Sequence, residues 1–111
     1  MNESDLNTLK EIISHCESIE NRITKYSIDE HAFIATEEFQ DMLLMPVFQI
    51  GELANSLSDE LKEKHHHIPW HEVIGFRNII AHDYGIVDPL WAWNSISVDI
   101  PSLKKMIEGL L

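Results

Sequence analysis

Four side chains close together in the chain, Arg77, Asn78, His82 and Tyr84, have the types and spacing for anion handling and proton transfer. Arginine presents a planar fork of donors matched to phosphate or carboxylate. Histidine, with an ordinary pKa near ~6.5, accepts or donates a proton at neutral pH. Asn78 stands four residues before His82, so on a helix the two are neighbours and the amide can orient the imidazole or a bound oxygen. Tyr84, with an ordinary pKa near ~10, suits a contact or a modification handle better than a base. The plainer alternative is an ordinary helical surface. In that reading Arg77 and His82 pair with bundle carboxylates, and Tyr84 packs its ring and wets its hydroxyl.

These residues must be held by the segment IPWHEVIGFRNIIAHDYG, residues 68 to 85. Pro69 suits the first turn of a helix and Gly85 its end. With Arg77 at 0° and 100° per residue, Val73, Phe76, Ile79 and Ile80 fall between about 200° and 320°, the predicted buried face. Asn78 lies at about 100°, His82 at about 140° and Tyr84 at about 340°. The small residues Gly75 and Ala81 lie between and beside them and allow a second surface to approach. Arg77 and His82 diverge by about 140°, too far for one helix to bring both onto one phosphate. Two copies related by a two-fold axis can do so across a shared cleft, and isologous dimers are the commonest way to build one. Glu52, beside Gly51 on an earlier helix, is a candidate to cap or orient that cleft. An exposed carboxylate is the equal alternative.

The rest of the chain reads as helices that position this segment. Ser4 is a candidate cap for a first helix to about Lys25, with Leu9, Ile12, Cys16, Ile19 and Ile23 on one face. Ser27 and Glu30 fit a capping box for a short helix through about Ala35. Thr36 is a candidate cap for a third helix, whose stripe is Leu43, Val47, Ile50, Ala54, Leu57 and Leu61. Pro46 falls inside it and should bend it. EKHHHIPW is a connector. Asp88 before Pro89 starts a final helix with the stripe Trp93, Ile96, Ile100, Leu103, Ile107 and Leu110, kinked or divided at Pro101. The expected fold is all-α: one domain, residues 1–111, built as an up-and-down antiparallel bundle of four long helical segments and a short one.

Composition narrows the function classes. Eight Lys and Arg against 19 Asp and Glu leave a formal charge of -11. That opposes general binding to nucleic acid or anionic lipid, so any such activity needs a local site. The polar, acidic start lacks the marks of a signal peptide, and no apolar run approaches ~18 residues, so a cytoplasmic protein without a membrane span is expected. The single cysteine, Cys16, excludes a disulfide framework within the chain. His65, His66, His67 and His71 invite a zinc hypothesis. Pro69 interrupts the pairing of His67 with His71, no HExxH occurs, and a solvated loop is the preferred reading. Trp70, Trp91 and Trp93 can stack bases, but core or interface packing is preferred.

The motif Arg77-x4-His82-x-Tyr84, with Asn78 after the arginine, resembles the R-x4-H-x-Y signature of HepT-like toxins in the HEPN superfamily. The surrounding IPWHEVIGFRNIIAHDYG is similar to that family's IPW…IIGLRN block, FQIGELANSLS to its IGEA segment, and VDPLWAW and DIPSLKKMIEGLL to its ending. The likeness spans nearly the entire chain, more loosely from Tyr26 to Gln40. It implies a HEPN-like helical bundle acting as a two-fold homodimer and a metal-independent endoribonuclease toxin that needs no cofactor. It also implies a cognate partner, an MntA-like minimal nucleotidyltransferase antitoxin, which silences the toxin by transferring AMP to Tyr84. Under the same likeness, the RNA 2'-hydroxyl attacks the adjacent phosphate, His82 moves the proton, Arg77 holds the phosphate, and the product is a 2',3'-cyclic phosphate. AMP on Tyr84 would bring bulk and negative charge beside Arg77. The alternative function is a non-catalytic subunit that binds a nucleotide substrate for the nucleotidyltransferase.

Overall fold

The computed structural model describes residues 1–83 and 87–111, and the side chains of all of these except 81–83. The described residues form helices and no strands. They are α1 (Glu3–Tyr26), α2 (Glu30–Ala35), α3 (Glu37–Ser56), α4 (Asp59–Lys64), α5 (Trp70–Asp83), α6 (Pro89–Asn94) and α7 (Ile100–Glu108). A π-helical turn, Ser95–Asp99, joins α6 to α7, so residues 89–108 make one interrupted helical segment. The expected bundle of four long segments is thus present, with α2 and a second short helix, α4.

The helix stripes read from the sequence form the core. Leu9, Ile12, Cys16 and Ile19 of α1 are buried with Leu43, Val47, Ile50 and Ala54 of α3 and with Ile96, Ile100, Leu103 and Ile107 of the last segment. Helices α1 and α3 run antiparallel. Asp5 at the start of α1 accepts hydrogen bonds from Ser58 beyond the end of α3, while Arg22 near the end of α1 reaches Met42 near the start of α3. Trp70 is buried, its indole N–H donating to the His65 carbonyl at 3.1 Å. Trp93 packs on Phe33 with ring centres 5.5 Å apart, and Trp91 meets Phe76 edge-on at 6.1 Å. All three tryptophans therefore pack within the protomer.

Helix starts differ from the sequence reading in residue rather than in place. Asn2, not Ser4, caps α1, its side chain accepting from the Asp5 N–H. Ser27 ends α1 in the left-handed region at φ 52°, and Asp29 caps α2 instead. Thr36 stands at the α3 cap position without a side-chain bond. The Gln40 side chain instead donates to the Phe33 and Ile34 carbonyls at the end of α2. Leu57 and Leu61 keep the buried phase of α3 but lie beyond it. Leu57 leaves the helix in extended conformation, and Ser58 caps α4, whose Leu61 faces the core.

Both interior prolines have a visible structural answer. Pro46 removes the N–H that would have reached the Met42 carbonyl four residues earlier. Arg22 on α1 fills that acceptor, its Nη1 donating at 2.7 Å, and α3 continues. Pro101 stands in the first turn of α7, just after the π-turn. The Ile100 N–H reaches back five residues to Ser95, and Ile96, Ile100, Leu103 and Ile107 are buried on both sides of the interruption.

Candidate active site

The site is set by how closely α5 approaches α3. Gly51 faces α5, and a Cβ built on it would lie 2.9 Å from both the backbone N and the Cβ of Arg77 and 3.1 Å from the Val73 carbonyl. Only a glycine lets the two backbones come that near. The contact places Glu52, the next residue, beside Arg77, whose Nε–H donates to Glu52 Oε1. Arg77 Nη1 also donates to the side-chain oxygen of its neighbour Asn78 at 3.2 Å.

This geometry corrects the helical-wheel picture in two places. The buried arc of α5 is Trp70, Val73, Phe76 and Ile80, and Ile79 is 39% exposed rather than part of the core. Arg77 sits at the seam with α3, not on a freely solvated arc. The cause is rotational. The buried arc centres on Ile80 and Val73, at about 300–320° on the wheel, so Arg77 falls at its edge and Ile79 beyond it.

Arg77 is therefore held to an acid, as the plainer sequence reading had it. The pair stays partly open, with 36% of the Arg77 side chain and 40% of the Glu52 side chain exposed. A guanidinium carries five N–H donors, and the bonds to Glu52 and Asn78 engage two of them. Glu52 thus fixes the arginine's rotamer and offsets part of its charge, and the exposed remainder still faces water.

Asn78 is exposed one turn before His82, and the backbone of His82 belongs to the last turn of α5. The side chains of His82 and Ala81 lie outside the described residues, as do Tyr84 and the helix-ending Gly85. Gly75 lies on the outer side of α5, where an added Cβ would meet nothing within 4 Å. Its lack of a side chain is not needed for packing within the protomer. Periodicity alone undervalues Gly51; a glycine in the interior of a strong helical stripe usually has a packing reason, and here it is the approach of α5.

No three His, Cys, Asp or Glu side chains among the described residues come together as a metal site. Near the histidine run, the rings of His65 and His67 are 6.0 Å apart, and His66 Nδ1 lies 3.1 Å from the Glu63 carbonyl. No helix among the described residues is long and apolar enough to cross a membrane.

Fold and site together define an all-helical HEPN-type bundle that carries an arginine–histidine motif on α5 and an acid paired with that arginine on the adjoining α3. The chain belongs to the ribonuclease HepT-like family, whose model matches residues 7–110. It is 29% identical over 110 residues to the "Probable ribonuclease HepT" of Thermococcus cleftensis, covering 99% of this chain and 98% of that one. It is 29% identical over 103 residues to a "Putative RNase" of Caldanaerobacter subterraneus subsp. tengcongensis (93% of this chain, 90% of the relative). It is 31% identical over 81 residues to a "Putative RNase" of Methanocaldococcus jannaschii (73% and 74%). No solved structure is significantly similar to the chain.

Proposed function

We propose that this protein is a metal-independent endoribonuclease toxin that cleaves RNA in a cleft between two copies of α5. The observation that carries this reading is the Arg77 guanidinium, clamped by Glu52 yet partly exposed, on the helix that also bears Asn78 and His82, in a chain of the ribonuclease HepT-like family. Arg77 binds the scissile phosphate and stabilises the charge that builds on it. His82 takes the proton from the 2'-hydroxyl, which attacks phosphorus and expels the 5'-oxygen, and a proton is returned to that leaving group. The product is a 2',3'-cyclic phosphate. Asn78 orients the imidazole or a phosphate oxygen. The open surface at Gly75, with the exposed Ile79 on the same helix, is where the second copy approaches.

The cognate partner is an MntA-like nucleotidyltransferase that silences the toxin by placing AMP on Tyr84. RNA should be cut in EDTA by the purified protein, and His82→Ala should abolish the cut with the dimer intact. Equal activity in that variant removes His82 from the mechanism. Co-expression with the partner should raise the protein's mass by AMP less water, on Tyr84.

The Glu52 carboxylate on Arg77 and the net charge of -11 favour one other reading, a non-catalytic subunit that binds a nucleotide substrate for the same partner. Growth arrest on expression alone, relieved by the partner, selects the toxin. Silent expression with tight partner binding selects the subunit.

A further inference from the structure

A cavity of about 250 Å³ between α1 and α3 is lined by His15, Ser18, Arg22, Met45, Pro46 and Gln49. Among the described residues its lining holds no carboxylate, in a chain with 19 of them. Lys104, Lys62 and Arg77 each meet an acid, Glu20, Asp59 and Glu52 respectively. Arg22 instead donates to the neutral Met42 carbonyl, which leaves its charge uncompensated by that bond. One of its five N–H groups serves that carbonyl, the acceptor freed by Pro46. The same bond holds the guanidinium at the cavity wall, and no carboxylate among the described residues forms a salt bridge with it.

The position matters as much as the chemistry. With Glu52 at 0° on α3, Met45 falls at about 20° and Gln49 at about 60°, so the cavity shares the outer face of α3 with the acid that grips Arg77. From Met42 to Glu52 is ten residues, about 15 Å along the helix. The two guanidiniums therefore flank a path that several nucleotides of one strand would span. Between them lie the Met45 side chain, 51% exposed, and the Gln49 amide. The exposed methionine gives a base an apolar floor, backed by the buried Pro46 ring, and an exposed amide reads its edge.

We infer that this cavity is a second RNA subsite, in which Arg22 and His15 take a phosphate of the strand several nucleotides from the one at Arg77, and Met45, Pro46 and Gln49 receive the adjoining base. The inference rests on the ribonuclease reading and extends it. It assigns affinity for single-stranded RNA to a local site, as the acidity of the whole chain requires.

The test is anisotropy of a fluorescein-labelled oligouridine titrated with full-length protein carrying His82→Ala, across a range of salt concentrations. Each phosphate contact on a single strand adds about 0.7 to the slope of log K against log salt. Arg22→Gln should reduce the slope by about that amount, and Arg22→Lys should restore it. Gln49→Glu, on an exposed side chain, should weaken binding at least about five-fold at low salt, because it sets a carboxylate against the phosphate. In otherwise unmodified protein it should raise KM for long RNA more than it lowers kcat. An unchanged slope in Arg22→Gln with unchanged affinity in Gln49→Glu overturns the subsite while leaving the ribonuclease reading intact. Weakening that is equal at all salt concentrations overturns it too, since that marks a structural effect. Loss of partner-protein binding with RNA binding unaltered assigns the cavity to the partner instead. A parent protein that neither binds nor cuts RNA fails the ribonuclease reading itself, and the subsite falls with it.

Discussion

Gly51→Ala tests whether the approach of α3 to α5 builds the site. The added Cβ would meet Arg77 N and Cβ at 2.9 Å and the Val73 carbonyl at 3.1 Å. Two of those three atoms are backbone, so no flexible side-chain end can swing aside. Restoring an ordinary carbon contact of about 3.5 Å needs the helices to part by roughly 0.6 Å. A gap of that size forfeits about a quarter of the dispersion energy of each facing pair, and overpacking of this kind costs about 1–3 kcal/mol. Alanine returns up to about 1 kcal/mol through its higher helix propensity. The net expectation is a loss of about 1–2 kcal/mol, a fall in Tm of roughly 4–12 °C. Because the shift occurs at Arg77 itself, kcat/KM for RNA should fall about ten-fold or more at a temperature where both proteins are folded. Gly75→Ala is the control for protomer stability alone, since its Cβ meets nothing within the protomer, and it should stabilise the fold by about 0.5–1 kcal/mol. Calorimetry on the pair, with RNA cleavage by Gly51→Ala against the parent, decides the matter. A Gly51→Ala protein as stable as the parent refutes the close-approach argument.

The other predictions concern charge, capping and the buried thiol. Glu52→Gln keeps an acceptor for Arg77 Nε but removes the compensating charge, so RNA affinity at low salt should rise by a factor of a few. Glu52→Ala releases the guanidinium and should lower kcat about ten-fold, which steady-state kinetics on both variants will separate. Asp5 is buried and accepts from the Ser58 N–H at 3.0 Å and from its hydroxyl at 2.5 Å, so Asp5→Ala strands that N–H and should cost about 1–3 kcal/mol in urea unfolding. Burial pushes the Cys16 thiol up to about 12, with nearby Glu20 adding to the rise, so labelling by a disulfide reagent at pH 8 should be slow until denaturant is added. The folded pKa lies above the ordinary 9.0, so the unfolded chain loses its proton first. The Cys16 contribution to stability is complete below pH 9 and disappears as pH rises toward 12, and Cys16→Val should flatten that part of the alkaline decline.

Periodicity carried most of the fold because the core is made of single-face stripes. Leu43, Val47, Ile50 and Ala54 are buried as their spacing requires, and the last stripe holds its phase through a π-turn. Caps were harder to place. Several polar residues near each helix start have suitable side chains, and the choice between Ser4 and Asn2, or Ser27 and Asp29, depends on one backbone angle. The site was legible as a motif but not as a geometry. Spacing put Arg77 opposite the core, whereas its environment depends on the rotation of α5 against α3, and one glycine on the other helix decides that. Nor could spacing show that Pro46 would free a carbonyl and Arg22 would fill it, because the two residues lie on different helices.

An acidic protein that handles a polyanion must concentrate its few cations and control their neighbours. Eight basic residues serve the chain, and the structure uses them differently. Lys104 is held by Glu20, which keeps its ammonium protonated to higher pH, and it fastens α7 to α1. Arg77 is also held by an acid, but at a seam where part of the guanidinium remains in water. There the carboxylate trades affinity for position, since a free arginine would sample many rotamers and a paired one presents the same donors each time. Under the proposed function, the acidity of the rest of the surface would limit binding to strands that reach those fixed donors. On this view the charge of -11 and an arginine-centred ribonuclease site are compatible, and replacing surface acids far from α3 and α5 should raise non-specific RNA binding while leaving kcat in place.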